Sequence, residues 1–275
     1  MKVTSVDDVA LQTISALVHG DSGIGKTTSL KTLPPEKTIL AVSERSLIPL
    51  RGMKFLSVLQ LETWDDTREL YAAFNRDNET ILQCKVLAID SLSEISDMCV
   101  RHIVHVDRKR LVSSRTGGKS DVPQGIYEEQ MGMEDWGLYR TRMTNFISAL
   151  THLPVHVIMT CLSAWSKDKD GGDTLRTPNL SGKVSRECAA HFDLVLYMEA
   201  RKDTDGNPAR VWRTFNDGRS IAKDASGKLD PYEETNWTKL YTKILNGGTK
   251  NESSRPLERR EVPDRGLARS CSEGV

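Results

Sequence analysis

Through the first two thirds of the chain, short unbroken apolar runs alternate with stretches whose apolar positions recur every three or four residues. Ile14-Ser15-Ala16-Leu17-Val18-His19, Thr38-Ile39-Leu40-Ala41-Val42, the stretch from Phe55 to Leu61, Lys85-Val86-Leu87-Ala88-Ile89-Asp90 and Val155-His156-Val157-Ile158-Met159-Thr160 are the runs. Their length and β-branched content predict short buried strands. Between them, Thr27 to Leu33 suits one or two helical turns ended by Pro34-Pro35. Thr63 is placed to cap a helix with Asp66 at its third position and an apolar face of Leu70, Tyr71 and Phe74. Ser91 and Glu94 form a capping-box pattern before Leu92, Ile95, Cys99, Ile103 and Val106. Trp136, Tyr139, Met143, Phe146, Ile147 and Leu150 make one stripe of a long helix, read as core packing.

The periodicity fails twice. From Ser113 to Gln124, Gly117-Gly118 and Pro123 mark a loop, and Ser163 to Pro178, polar and containing Gly171-Gly172, predicts a flexible loop or mobile ribbon. Phe192 to Met198 is a further strand, joined through Asp205-Gly206 to Ala209–Phe215 as an antiparallel hairpin. Trp237, Leu240, Tyr241, Ile244 and Leu245 mark a last helix. From Gly247 onward, glycine, serine, proline and mixed charge predict a disordered tail, residues 247–275, after one domain over residues 1–246. Strands alternating with helices predict an α/β fold: a mainly parallel sheet flanked by helices, with a C-terminal antiparallel hairpin. Ligands of such sheets bind beyond the carboxyl ends of the strands.

Composition narrows this only a little. The 275 residues carry no net formal charge and are 38% hydrophobic, which is enough for a sizeable core. Neutrality argues against a protein coated in nucleic acid but leaves room for a local basic groove. No apolar run approaches a membrane span, and the polar, acidic start lacks a signal peptide's pattern. Cys84, Cys99, Cys161, Cys188 and Cys271 are scattered, which fits reduced thiols and a cytoplasmic location better than a disulfide framework. The pairs Cys188/His191 and His102/His105 lack partners at zinc-site spacing.

The chemistry concentrates where the first strand ends. Gly20-Asp21-Ser22-Gly23-Ile24-Gly25-Lys26-Thr27, followed by Thr28, fills every fixed position of G-x-x-x-x-G-K-[ST] between a strand and a helix. Glycines let successive N–H groups turn inward around a phosphate, and a helix N-terminus adds positive potential. Lys26 would reach the β- and γ-phosphates of ATP, and Thr27 would ligate Mg²⁺. Asp90 ends its strand at the same sheet edge and suits the Mg²⁺ shell beside Thr27. Glu44, directly after the second strand, could orient a water against the γ-phosphate, and Thr160 could sense that phosphate. Arg219 and Lys223, in Asp217-Gly218-Arg219-Ser220-Ile221-Ala222-Lys223, could act as a finger on a neighbouring subunit's nucleotide. Two stretches suit single-stranded DNA: Arg108, Lys109, Arg110, Arg115 and Lys119 in one, and Trp165, Lys167, Lys169 and Arg176 in the other. Cations neutralise phosphates and an aromatic can stack on a base.

The order of Gly20–Thr28, Ala41–Glu44, Val86–Ser91, the Trp136 helix, Val157–Thr160, Pro178–Lys183 with Phe192-Asp193, and Gly218–Lys223 resembles the phage-encoded RecA-like P-loop ATPases, including the Sak-type single-strand annealing proteins. The resemblance implies a RecA-like fold and an ATP- and Mg²⁺-dependent oligomer in the cytoplasm. It implies action on single-stranded DNA in recombination or replication, with a single-strand-binding protein as a further partner. It implies Glu44 as the catalytic carboxylate. Two departures stand out. Cys161-Leu162 follows Thr160 where RecA carries a glutamine, and RecA's additional domain has no counterpart. Two other readings share the phosphate loop: a nucleotide-switched assembly protein without turnover, and a small-molecule or nucleotide kinase. A GTPase is disfavoured because no N-K-x-D motif occurs, and a partition-type ATPase because Asp21 stands where its signature lysine would.

Overall fold

A computed structural model of the chain describes residues 13–44, 47–74, 76, 79–107, 131–167, 173–202 and 206–246. The loop expected at Ser113–Gln124 and the tail from Gly247 lie outside them. In order, the regular elements are β1 (Ser15–Gly20), α1 (Lys26–Ser29), β2 (Thr38–Val42), β3 (Ser57–Gln60), α2 (Trp64–Phe74), α3 (Glu79–Gln83), β4 (Val86–Asp90), α4 (Leu92–His102), α5 (Met133–Thr151), β5 (His156–Lys167), β6 (Asp173–Pro178), α6 (Val184–Glu187), β7 (Leu194–Lys202), β8 (Pro208–Arg213), β9 (Lys223–Asp224), β10 (Tyr232–Glu234) and α7 (Trp237–Leu245).

The sheet runs β10-β8-β7-β1-β5-β4-β2-β3. Every neighbour pair from β7 to β3 is parallel, whereas β8 and β10 add antiparallel strands at the C-terminal side. This is the mainly parallel, helix-flanked sheet with antiparallel C-terminal strands that the apolar pattern predicts. β5 lies between β1 and β4, so one strand separates the glycine-rich loop from Asp90.

The continuous apolar runs follow from burial on both faces. Leu17, Ile39, Ala41, Leu87, Ile89, Val157 and Met159 point to one side, into a core completed by Leu92 and Ile95 of α4 and Tyr139, Met143 and Ile147 of α5. Ala16, Val18, Leu40, Val42, Ala88 and Ile158 point to the other, where Leu30, Trp237, Leu240 and Ile244 cover them. That alternation is the two-residue period of a strand.

The first helix has the expected length, one α-helical turn at Lys26–Ser29 continued by a 3-10 turn at Leu30–Thr32, so little helix dipole reaches the loop. Three expectations need correction. Trp136 is 43% exposed and meets Tyr139 edge-on at 6.0 Å, outside the core stripe. Ser91 precedes α4 but its side chain does not cap it; the hydroxyl turns to Glu44 instead. Thr160 does not end its strand: β5 runs on to Lys167, because β6 takes over its hydrogen bonding, from Ser163↔Pro178 to Lys167↔Asp173, once β1 and β4 have ended. The polar ribbon is therefore a β-hairpin arm continuous with the sheet. By contrast, Thr63 and Asp66 form the expected cap, with Thr63 N–H donating to Asp66 Oδ2 at 2.8 Å and Asp66 N–H to Thr63 Oγ1 at 3.3 Å.

Candidate functional site

Sheet register lines up the chemistry. Val18 pairs with Thr160 and Val42 with Asp90, while Ile89 pairs with Met159, so Thr160 and Asp90 are level on adjacent strands. Beyond that row, β1 ends in Gly20 and the chain turns back over it. Gly20 admits no side chain: a Cβ there would lie 2.8 Å from the Met198 carbonyl oxygen of β7. Gly23 and Gly25 have φ of 73° and 111°, a region that favours glycine, and they give the loop its curl.

Lys26, almost fully buried, donates from Nζ to the carbonyl oxygens of Gly20 at 3.0 Å and Asp21 at 2.9 Å. Burial lowers its pKa, and the nearby Asp90, Glu44 and Asp21 oppose that. The next residue, Thr27, donates from Oγ1 to Asp90 Oδ2 at 2.8 Å. Thr160 donates from Oγ1 to Asp90 Oδ1. One buried carboxylate thus joins the loop to two strands. Burial raises the Asp90 pKa, and the two hydroxyl donors pull it back. Thr160 is completely buried, so its hydroxyl serves Asp90 and does not face a γ-phosphate directly, a second correction at this residue.

Glu44 is half-buried at the exit of β2, and its Oε1 accepts a hydrogen bond from Ser91 Oγ at 2.6 Å. Ser43 ties the same corner together. Its Oγ donates to the Ser91 carbonyl at 3.0 Å and accepts from the Ser91 N–H at 2.9 Å. Glu44 is therefore held beside Asp90 by the residue that follows Asp90.

The other expected residues fall into three groups. Arg219 sits exposed in a turn whose N–H groups at 219 and 220 both donate to Asp217 Oδ1 at 2.9 Å. Lys223 lies lower, beside Val195 near the start of β7, and its Nζ donates to the Phe192 carbonyl at 2.7 Å. Its ammonium is engaged within its own chain, away from the carboxyl edge, which departs from the finger expectation. Trp165 and Lys167 are exposed on the hairpin arm. Arg176, their neighbour on β6, stacks over the Trp165 ring at 4.4 Å and grips Asp21 of the glycine-rich loop, so it belongs to the phosphate-loop site first. Arg108, Lys109, Arg110, Arg115, Lys119 and Lys169 lie outside the described residues.

Two residues were not legible beforehand. His19, fully buried just before the loop, contacts Ser163 Oγ through Nδ1 at 2.8 Å and the Ile221 carbonyl through Nε2 at 2.6 Å. Arg210 of β8 packs on the loop: a Cβ at Gly25 would stand 3.0 Å from its Nη1. Both contacts join segments far apart in sequence, and no local pattern signals them.

Residues 12–226 match the AAA domain family. The chain belongs to that family. It is an AAA-domain, P-loop ATPase domain, and its glycine-rich loop is the family's phosphate loop in the setting just described. Among solved structures, a KaiC-like protein from the hyperthermophilic archaeon Pyrococcus horikoshii is similar at 16% identity, over 76% of this chain and 82% of that one, with a TM-score of 0.40. No curated protein matches the sequence.

The donors present fit Mg²⁺. A hydroxyl and a carboxylate oxygen, 2.8 Å apart, are hard ligands, and Mg²⁺ normally takes few from protein and the rest from water and phosphate. Among the described residues there is no cluster of three or more His, Cys, Asp or Glu side chains that could hold a metal. No helix among the described residues is long and apolar enough to cross a membrane.

Proposed function

We propose that this AAA-domain protein binds ATP with Mg²⁺, hydrolyses it, and couples the cycle to single-stranded DNA in recombination or replication of the phage type. The observation that carries the ATPase part is the Asp90 carboxylate shared by Thr27 and Thr160, with Glu44 tethered to Ser91 one residue further on. Thr27 and Asp90 would hold the metal, whose contribution is charge neutralisation on the phosphates. Lys26, presently on two loop carbonyls, can exchange them for phosphate oxygens, which form stronger charge-assisted hydrogen bonds. Glu44 orients and deprotonates a water, and the Ser91 hydroxyl fixes the carboxylate's rotamer for that task.

The DNA part rests on the order of segments shared with the Sak-type proteins and on the exposed Trp165 and Lys167 of the hairpin arm, an aromatic and a cation suited to base stacking and phosphate contact. The family match does not reach it. An oligomer and a single-strand-binding partner belong to the same proposal. The experiment is ATP turnover measured without DNA, with single-stranded DNA and with duplex. Stimulation by single strands, lost in Glu44→Gln, supports the reading, and turnover indifferent to DNA removes its second half.

One observation favours a second reading, a nucleotide-switched assembly protein without turnover. The Glu44 carboxylate already has a strong donor in Ser91. Single-turnover measurements separate the two: bound ATP that stays intact over many minutes supports the switch.

A further inference from the structure

The phosphate loop has a cation beside it that belongs to no motif. Arg210 lies on β8, opposite Ala200 of β7. Met198, two residues before Ala200, is level with Gly20. Arg210 therefore stands just beyond the sheet edge from which the loop rises, two strands or roughly 10 Å to its side. The strand's alternation puts it on the face of Trp212, whose core also takes in Leu30 just after α1. From there the side chain reaches across to Gly25. A Cβ at Gly25 would meet its Nη1 at 3.0 Å, its Cδ at 3.1 Å and its Cζ at 3.2 Å. Position 25 disfavours a side chain through its φ of 111°, and the end of Arg210 would have to give way to one.

Four other cations of this region have partners. Lys26 is on the loop carbonyls, Arg176 on Asp21, Arg213 on Glu199 and Asp217, and Arg201 on Glu199. Arg210 is exposed and, among the described residues, its guanidinium has no hydrogen-bond or ion-pair partner. An unpaired guanidinium resting against the residue before Lys26, in a loop shaped to turn N–H groups onto phosphate, is placed for anion binding.

We propose that Arg210 is a phosphate-binding residue of the nucleotide site, supplied within the same chain from β8, and that it donates to the polyphosphate of the bound nucleoside triphosphate. This rests on the ATP-binding reading above. It assigns β8 a role in the site that the phosphate-loop motif does not include.

The test is binding of a fluorescent ATP analogue, and its displacement by inorganic tripolyphosphate, in the full chain and in Lys26→Ala, Arg210→Gln and Arg210→Lys. Thermal melting of each variant reports folding, and an exposed Arg210 leaves it near wild type. The expected result is an affinity for both ligands about tenfold lower or worse in Arg210→Gln, from loss of a charge-assisted contact, with partial recovery in Arg210→Lys. Wild-type affinity for both ligands in Arg210→Gln, while Lys26→Ala is impaired, overturns the Arg210 assignment alone. Weakened analogue binding with unchanged tripolyphosphate binding also overturns it, since the contact is then to the base or sugar. A wild-type chain that binds neither ligand, or a Lys26→Ala that binds both normally, overturns the nucleotide site itself and Arg210 with it.

Discussion

Arg176 holds both carboxylate oxygens of Asp21, with Nη2 donating to Oδ2 at 3.1 Å. The arginine comes from the hairpin arm and the aspartate from the phosphate loop. Its main chain is tied as well: the Arg176 N–H donates to the Arg219 carbonyl at 2.7 Å, and its carbonyl accepts from the Ile221 N–H at 3.0 Å. Arm, loop and the Arg219 turn therefore meet at one residue.

Arg176→Ala should weaken ATP binding, because it leaves the Asp21 charge uncompensated beside the triphosphate. Asp21 is 52% exposed, so solvent screens it and the effect should be up to about fivefold. Asp21→Asn in the Arg176→Ala background should restore affinity. Nucleotide titrations of the two single variants and the double variant check this, and additive effects would show that Arg176 does not act through Asp21.

Glu44→Gln should lower kcat by roughly a hundredfold or more while leaving nucleotide affinity near wild type, as expected for a lost general base. Ser91→Ala should give a smaller fall in kcat, since it frees the carboxylate that its Oγ holds at 2.6 Å. Equal kcat in Ser91→Ala and wild type would mean that the tether has no part in the chemistry.

Much of this site could be read from the chain, and the reasons are physical. A strand buried on both faces has no choice but a continuous apolar run, so β1, β2 and β4 stand out, and the loop and Asp90 follow from their ends. The hairpin arm defeated that logic, because past Cys161 the β5 residues are at most partly buried and mix polar with apolar types, without the unbroken apolar run of a doubly covered strand. Ser91 looked like a cap because sequence shows a capping box but not the competing Glu44 carboxylate across the sheet. Arg210 and His19 act through partners far along the chain, at Gly25, Ser163 and Ile221. Such contacts leave no periodic trace.

Asp90→Asn should separate stability from function. Burial raises the Asp90 pKa above its unfolded value, so its folding contribution is complete below the ordinary carboxylate range and is lost as pH rises through the folded value. At neutral pH the ionised carboxylate is therefore a net cost to the nucleotide-free fold. The amide removes that charge, so Tm without nucleotide should rise, while Mg²⁺-dependent turnover falls at least about tenfold. Melting curves from pH 4 to 8 check the first half: the variant's advantage should grow with pH. A variant that melts lower at every pH would show that the Thr27 and Thr160 hydrogen bonds outweigh burial.

His19 gives the opposite slope. Burial holds its pKa down at about 4, against 6.5 for a free histidine, with the Ile221 carbonyl resisting and the charges of Lys26 and Arg176 helping. The unfolded chain takes up the proton below pH 6.5, and the folded chain only near pH 4. Stability is thus fully present above pH 6.5 and is lost as pH falls toward 4, by about 3 kcal/mol across that window. His19→Gln cannot take up that proton. It should be less stable at neutral pH, having lost the fit between Ser163 and Ile221, yet its stability should fall less steeply in acid. Denaturant unfolding at several pH values from 7 to 4.5 reads both quantities. Parallel pH profiles for the two proteins would show that the acid sensitivity arises elsewhere in the fold.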